Sequence, residues 1–341
     1  MAQNDKLCYV RTPMKRLIVL IIVLVISATF ILQRTFRGVQ RHEGSFLAMG
    51  GIPVNVVAYG MRRGKFKTQL RLVAGHVENM ENVLSGFRPN SELAKLNTMG
   101  KGCGSFSPLF VDMLKRSRRW YDVTDGAFDV TVGPFIELWK RAAKKNKLPT
   151  SEELADAKSR VGMDLVRIEG KRRVCLERDG MNITLGAIAK GAIIDRAALV
   201  LKANDVPRGL VDAGGDVSSF GDGTFKVGLQ DPRNRGKLFG AIMLPAGGVV
   251  TSGDYERFVT IAGKNYSHII DPRTGHPANE LLSVTVMGPD ATNADALATA
   301  ISVLGKERGV ELMNKLTNFR AIIMSHDGSV WMSEDLSSLV E

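Results

Sequence analysis

Residues 251–275 read TSGDYERFVTIAGKNYSHIIDPRTG, and the chain is best understood outward from this stretch. Two short alternating runs, Arg257–Ile261 and Tyr266–Ile270, flank the link Ala-Gly-Lys-Asn. Period-2 alternation around a short glycine-containing link predicts a β-hairpin. A polar cluster sits at each end: Thr251 to Tyr255 before the hairpin, Ser267-His268 and Asp271 to Gly275 after it. Asp-Pro and Thr-Gly are ordinary turn formers, so this cluster alone reads equally as solvated turns or as the rim of a site.

Downstream, Leu281–Met287 is a strong strand pattern. Asn293 reads as the N-cap of a helix over Ala294–Leu304 that closes on Gly305. Asp295 and Thr299 are four residues apart and share one face of that helix. A carboxylate and a hydroxyl near a helix N-terminus suit a hard cation such as Mg2+. The plainer alternative is an Asp favoured by the helix dipole, with Thr299 facing solvent. A last helix (Lys306–Leu316) and a hairpin through Asp327-Gly328 follow.

Upstream, Gly209–Val217 is a strand running into Gly214-Gly215-Asp216, and further strands are expected at Phe225–Leu229 and Leu238–Leu244. Met181–Leu185 is a strand candidate that breaks at Gly186 before a helix bearing Lys190, an arrangement suited to an anion. The spacing is neither that of a P-loop nor that of a dinucleotide fingerprint. Thr150-Ser151-Glu152-Glu153 starts a helix with a capping box, and the basic run Lys140–Lys147 reads as solvated surface. Ser107-Pro108 starts another helix, to about Asp122. Between them, Thr124–Pro134 is a loop whose Gly126-Ala127 pair allows close backbone approach to a ligand beside Asp129. Lys65–Leu84 is an amphipathic helix, and Ser85–Glu92 a loop carrying the Phe87-Arg88 pair, which packs on the surface or stacks on a planar ligand. Val54, Val56 and Ala58 mark a strand after Phe46–Gly51.

Leu17–Leu32 is sixteen uncharged residues flanked by Lys15-Arg16 and by Arg34 and Arg37. As a helix it spans about 24 Å, and arginines can snorkel to cover the shortfall against a core of about 30 Å. An uncleaved signal anchor is favoured over a cleaved signal peptide, since Ile26-Ser27-Ala28 is a poor cleavage site. Either places the remainder outside the cytoplasm. The expected organisation is a basic cytoplasmic segment (1–16), a transmembrane or signal segment (17–32), a polar linker (33–45) and one domain over 46–341.

The net charge is +11, of which residues 1–45 carry +5. The mild excess elsewhere, with 6% aromatics and no basic stripe, argues against nucleic acid and is met by a small anionic ligand. Cys8, Cys103 and Cys175 form no C-x-x-C pair, which disfavours a zinc site. Cys103 and Cys175 are free to pair in an oxidising compartment.

Taken together, Met49-Gly50, Phe87-Arg88-Pro89, GAFDVTVGP (126–134), LGAIAKG (185–191), Gly214-Gly215-Asp216, Thr251 to Tyr255, SHIIDPRTG (267–275) and ADALATA (294–300) occur in that order. This set resembles the ApbE family of FAD:protein FMN transferases over about residues 46–325. The resemblance implies an α+β fold of largely antiparallel sheets packed by helices. It implies Mg2+-dependent cleavage of FAD and transfer of FMN to a Thr or Ser hydroxyl of an acceptor protein, with release of AMP. Acceptors would be flavoprotein subunits of membrane redox complexes, which suits a domain held on the outer face of a bacterial inner membrane. Carried over by position, Met49, Phe87, Ala127, Phe128, Asp129, Thr184, Lys190, His268 and Ile269 are the expected FAD contacts. The Ala187 carbonyl, Asp295 and Thr299 are the expected metal set, and His268 is the candidate for proton transfer. The chain departs from the family pattern at Phe87 (commonly Tyr), Thr184 (commonly Asp) and Ala298 (acidic in some members). Those departures keep two alternatives in play: an FAD-binding protein without turnover, and a Mg2+-dependent FAD pyrophosphatase.

Overall fold

The structure is a computed structural model, and it describes residues 40–234, 236–253 and 258–336. The segment Leu17–Leu32, Cys8, and Asp254 to Arg257 lie outside the described residues. Among the described residues, no helix is long and apolar enough to cross a membrane.

In chain order the elements begin with strands β1 (Arg41–Ala48) and β2 (Ile52–Tyr59) and helices α1 (Arg63–Leu84) and α2 (Glu92–Met99). Strand β3 (Gly102–Ser105), helices α3 (Pro108–Val123), α4 (Gly133–Lys145) and α5 (Ser151–Lys158), strands β4 (Val166–Glu169) and β5 (Arg173–Leu176), and helix α6 (Ala189–Ala203) follow. Next come strands β6 (Arg208–Ala213), β7 (Asp216–Phe220), β8 (Phe225–Gln230), β9 (Leu238–Leu244), β10 (Gly247–Gly253), β11 (Phe258–Ile261), β12 (Lys264–Ser267) and β13 (Leu281–Gly288). Helix α7 (Ala291–Lys315) and strands β14 (Arg320–Ser325) and β15 (Val330–Met332) close the described chain.

The architecture is α+β. Eight strands form one sheet in the order β1-β2-β6-β7-β10-β13-β14-β15. From β2 to β15 every neighbouring pair is antiparallel. Helices α6 and α7 lie on one face of the sheet, and α1 packs over α6. The main core fills that layer, with Val56, Ile194, Val211, Val284, Leu297 and Ile301 fully buried. On the other face the β8–β9 ribbon covers Val217, Val249 and Ile322 with Leu229, Ile242 and Leu244.

A separate small core seats the hairpin. Phe135, Leu138, Trp139 and Ala142 of α4 recur at helical spacing and pack with Val161, Ile261 and Ile270. Burying a ring such as Phe135 contributes roughly 1.5–3 kcal/mol. Trp139 Nε1 donates to the Gly275 carbonyl at 2.8 Å, and Lys158 Nζ to that of Pro272 at 2.8 Å. Within the turn, Asp271 accepts from the Arg273 backbone and guanidinium. The Asp-Pro-Arg-Thr-Gly turn is thus a rigid corner fastened to α4 and α5.

Several expectations change. Residues 41–45, assigned to the linker, belong to β1, an edge strand whose polar residues alternate outward. The hairpin is tighter than expected. Only Ala262 and Gly263 turn, at φ 49° and 77°, while Lys264 and Asn265 pair with Ile261 and Thr260. Met181–Leu185 is not a regular strand. It makes one parallel bridge, Val132 to Asn182, and its amides bond to the Asn97 side chain and the Val130 carbonyl. The basic run Lys140–Lys147 is solvated as expected, and most of it lies on α4, whose other face carries buried Trp139 and Ala142. The Ser85–Glu92 loop ends at Ser91, which caps helix α2. Asp290, not Asn293, caps α7, its carboxylate accepting from the Asn293 amide at 2.8 Å. At Gly305 the helical path is broken (φ 78°), so α7 comprises the two segments expected on either side of that residue.

Candidate active site

The first turns of α6 and α7 meet at one point against the central strands β7 and β10 of the sheet. A Cβ on Gly191 would lie 2.2 Å from the Ala291 carbonyl oxygen, and one on Gly248 would lie 2.2 Å from the Ala291 amide nitrogen. Only glycine lets the three backbones approach so closely. Asp195 of α6 locks the junction. Its carboxylate accepts from the Ala291 and Thr292 amides at 3.0 and 2.8 Å, from the Thr292 hydroxyl at 2.5 Å and from the Ser218 hydroxyl at 2.7 Å. Burial raises the pKa of Asp195, and these donors pull it back.

Asp295 stands one turn into α7 and is 4% exposed. It accepts from the Gly191 amide at 3.1 Å. Burial first, and the neighbouring Asp216 carboxylate second, push its pKa up to about 7; Lys190 opposes them. Asp216 at the start of β7 is equally buried. One oxygen lies 2.7 Å from Lys190 Nζ, and the other accepts from the Thr251 amide at 3.2 Å. The Thr251 hydroxyl in turn pairs with that of Thr285 at 2.8 Å. The start of the 251–275 stretch therefore reaches the carboxylate cluster through Asp216.

Ala127 and Ile269 come together in a small buried group with Val303. This joins the GAFDVTVGP loop to the far end of the 251–275 stretch. The Thr184 amide donates to the Val130 carbonyl at 2.7 Å, which brings Thr184 to the same loop. Phe128 is buried in the main core, so any ligand contact there runs through its backbone. The Asp129 carboxylate accepts from the Thr131 amide and hydroxyl at 2.7 and 2.6 Å. Burial raises the Asp129 pKa against those two donors. His268 is exposed beside buried Ile269. A cavity of about 630 Å³ adjoins Asp129, between α3, the end of α5 and Pro272-Arg273. Met49 turns between β1 and β2 at φ 49°, and the Phe87 ring is 88% exposed on the loop after α1.

The metal set expected from the sequence can be weighed against this geometry. Among the described residues, no three His, Cys, Asp or Glu side chains cluster as a metal site. The expected set needs only one carboxylate, with a hydroxyl and a backbone carbonyl completing an all-oxygen set fit for a hard cation. Asp295 is a buried carboxylate held near a second one, a grouping that a cation would relieve. Thr299 lies one turn further along α7, half-buried, and Ala187 stands two residues before α6. The oxygen chemistry of this donor set suits a hard cation such as Mg2+. Ala298, the neighbour of Thr299, is fully buried in the core.

Sequence reasoning did not single out Asp195 or Glu81, and it treated Asp216 only as part of a motif. The carboxylate after Gly214-Gly215 was a visible signal for Asp216; its burial was not.

The ApbE family profile matches residues 51–323. An FAD:protein FMN transferase of Treponema pallidum is 33% identical over 279 residues, covering 74% of this chain and 76% of that protein. One from Klebsiella pneumoniae is 31% identical over 264 residues, covering 75% and 82%. Among solved structures, the ApbE protein of Thermotoga maritima superposes with a TM-score of 0.80 at 32% identity, over 88% of this chain and 99% of that one. The flavin transferase ApbE of Vibrio cholerae gives 0.76 at 27%, over 89% and 100%. With the family profile spanning most of the chain and relatives above 30% identity over about three quarters of it, this chain is a member of the ApbE family.

Proposed function

We propose that this chain is an FAD:protein FMN transferase. It moves FMN from FAD to a Thr or Ser hydroxyl of an acceptor protein and releases AMP. The observation that carries the reading is the buried Asp295 carboxylate at the start of α7, set beside Lys190 and Asp216 in a chain of this family.

In the proposed reaction the acceptor oxygen attacks the phosphorus bearing the riboflavin moiety. The pyrophosphate bond to that phosphorus breaks and AMP departs. The protein positions these groups. Met49 and Phe87 hold the flavin, while Ala127, Asp129, Thr184 and Ile269 line the remainder of the FAD site. Lys190 places positive charge toward the phosphates, and His268 takes or relays the hydroxyl proton. Asp295, Thr299 and the Ala187 carbonyl hold Mg2+. When bound, that ion neutralises charge on the phosphate oxygens.

We further propose that the segment preceding β1 tethers the domain to the membrane with its site facing the periplasm. The uncharged Leu17–Leu32 run and the bond between Cys103 and Cys175 support this, since disulfides persist in oxidising compartments. N-terminal sequencing of the membrane fraction tests the anchor, and finding the chain begin well after Leu32 would replace it with a cleaved signal.

The activity test incubates the chain with FAD, Mg2+ and an acceptor domain carrying a flavinylation Thr. Covalent flavin fluorescence on the acceptor in a denaturing gel is expected. FAD retained without turnover would favour the binding-protein reading that Thr184 and Ala298 suggest. Free FMN and AMP without labelled acceptor would favour a pyrophosphatase.

A further inference from the structure

Glu81 joins two loops whose residues Met49 and Phe87 the proposed function assigns to the flavin. It sits in the last turn of α1 and is 7% exposed. Oε1 accepts from the Met49 amide at 3.0 Å, and Oε2 accepts from Arg88 Nη2 at 3.0 Å. Arg88 Nη1 also donates to Asn82 Oδ1 at 2.7 Å, and Glu78 lies 4.0 Å away. One carboxylate therefore ties the β1–β2 turn at Met49 to the loop that carries Phe87.

Helix stability does not explain this placement. A carboxylate in the last turn opposes the helix dipole, and α1 has no basic residue there to offset it. The two contacts hold costly conformations instead. Met49 is a non-glycine residue at φ 49°, a left-handed state that a side chain disfavours. Its amide is fixed in that state by Glu81. Phe87 is 88% exposed, an apolar ring standing in solvent on a loop whose next residue is pinned by the same carboxylate.

We propose that Glu81, through Arg88, is a positioning residue that sets the gap between Met49 and Phe87 to the thickness of an isoalloxazine ring. The inference rests on the assignment of those two residues to the flavin. Glu81 touches no substrate atom in this scheme. It acts by holding the two walls in register, so its effect falls on the flavin half of FAD and spares the AMP half.

The test is equilibrium binding of FAD, FMN and AMP to the full-length chain. Flavin fluorescence reads the first two and calorimetry the third, with visible circular dichroism of the bound flavin as the spectroscopic signature. Arg88→Ala cuts one arm at the surface and leaves the fold intact. Glu81→Gln keeps an acceptor for the Met49 amide and loses the ion pair. In each, FAD and FMN affinity is expected to fall about tenfold, the scale of one charge-assisted hydrogen bond, with AMP affinity unchanged and the flavin dichroism reduced. An equal loss for AMP would overturn the proposal, because it marks a general structural role. So would parental FAD affinity in both variants while Phe87→Ala binds FAD weakly. If Met49→Ala and Phe87→Ala themselves bind FAD like the parent chain, the flavin lies elsewhere, and the assignment beneath the inference falls with it.

Discussion

Asp295, buried beside Asp216, carries a pH signature. An acid whose pKa rises on folding binds more protons folded than unfolded. Its contribution to stability is complete below the ordinary 3.8 and is lost as pH climbs through about 7. Without Mg2+, the melting temperature of the parent chain should therefore fall over that window relative to Asp295→Asn, which lacks the titration. Millimolar Mg2+ should raise the melting temperature at pH 8 far more than at pH 5, because the ion competes with the proton. Differential scanning calorimetry of both proteins at both pH values decides it, and parallel curves would refute the assignment. Asp295→Ala should abolish the covalent flavin label in the gel assay; undiminished labelling would remove Asp295 from the metal set. The sequence exposed the Asp295 and Thr299 pair because four-residue spacing fixes a shared helical face. It hid the partnership with Asp216, which depends on β7 lying beside α6 and α7, and the role of Glu81, which depends on two turns far apart in sequence.

Helices α6 and α7 can bring their first turns together only while residues 191 and 248 lack a side chain. Gly191→Ala would drive a methyl group into the Ala291 carbonyl, and the overlap is with backbone, which cannot rotate away. A loss of about 1–3 kcal/mol is expected in urea unfolding, together with loss of Mg2+-dependent stabilisation. A variant that kept both would show the junction to be looser than described. Removing the α7 cap with Asp290→Ala should cost about 1 kcal/mol in the same measurement. Elements with local signatures were legible. Ser107-Pro108 and the Thr150–Glu153 capping box start helices where the sequence places them. Helix α4 was masked by its opening Gly-Pro, although Phe135, Leu138, Trp139 and Ala142 spell a helical stripe. The Met181–Leu185 run has the composition of a strand, but its amides are taken by Asn97 and Val130, so no ladder forms.

Across the whole molecule, the 251–275 stretch spans two neighbourhoods: Thr251 reaches the Asp216 cluster, and Ile269 reaches the Ala127 loop. One covalent link lies beyond those contacts. Cys103 and Cys175 face each other across β3 and β5 and are bonded, closing a loop with a sequence separation of 72. That loop contains α3, α4, α5 and the GAFDVTVGP segment, so reduction should loosen the wall around Ala127 first. Replacing both cysteines by serine should lower stability by about 2–4 kcal/mol, read as a drop in melting temperature that a reducing agent reproduces in the parent chain and not in the variant. The odd count of cysteines gives this bond a further consequence. Three thiols allow three pairings, two of them involving Cys8. If the chain is anchored as proposed, Cys8 stays on the cytoplasmic side while the other two are exported. The lipid bilayer then serves as a sorting barrier for thiols, leaving one pairing within reach of the oxidant.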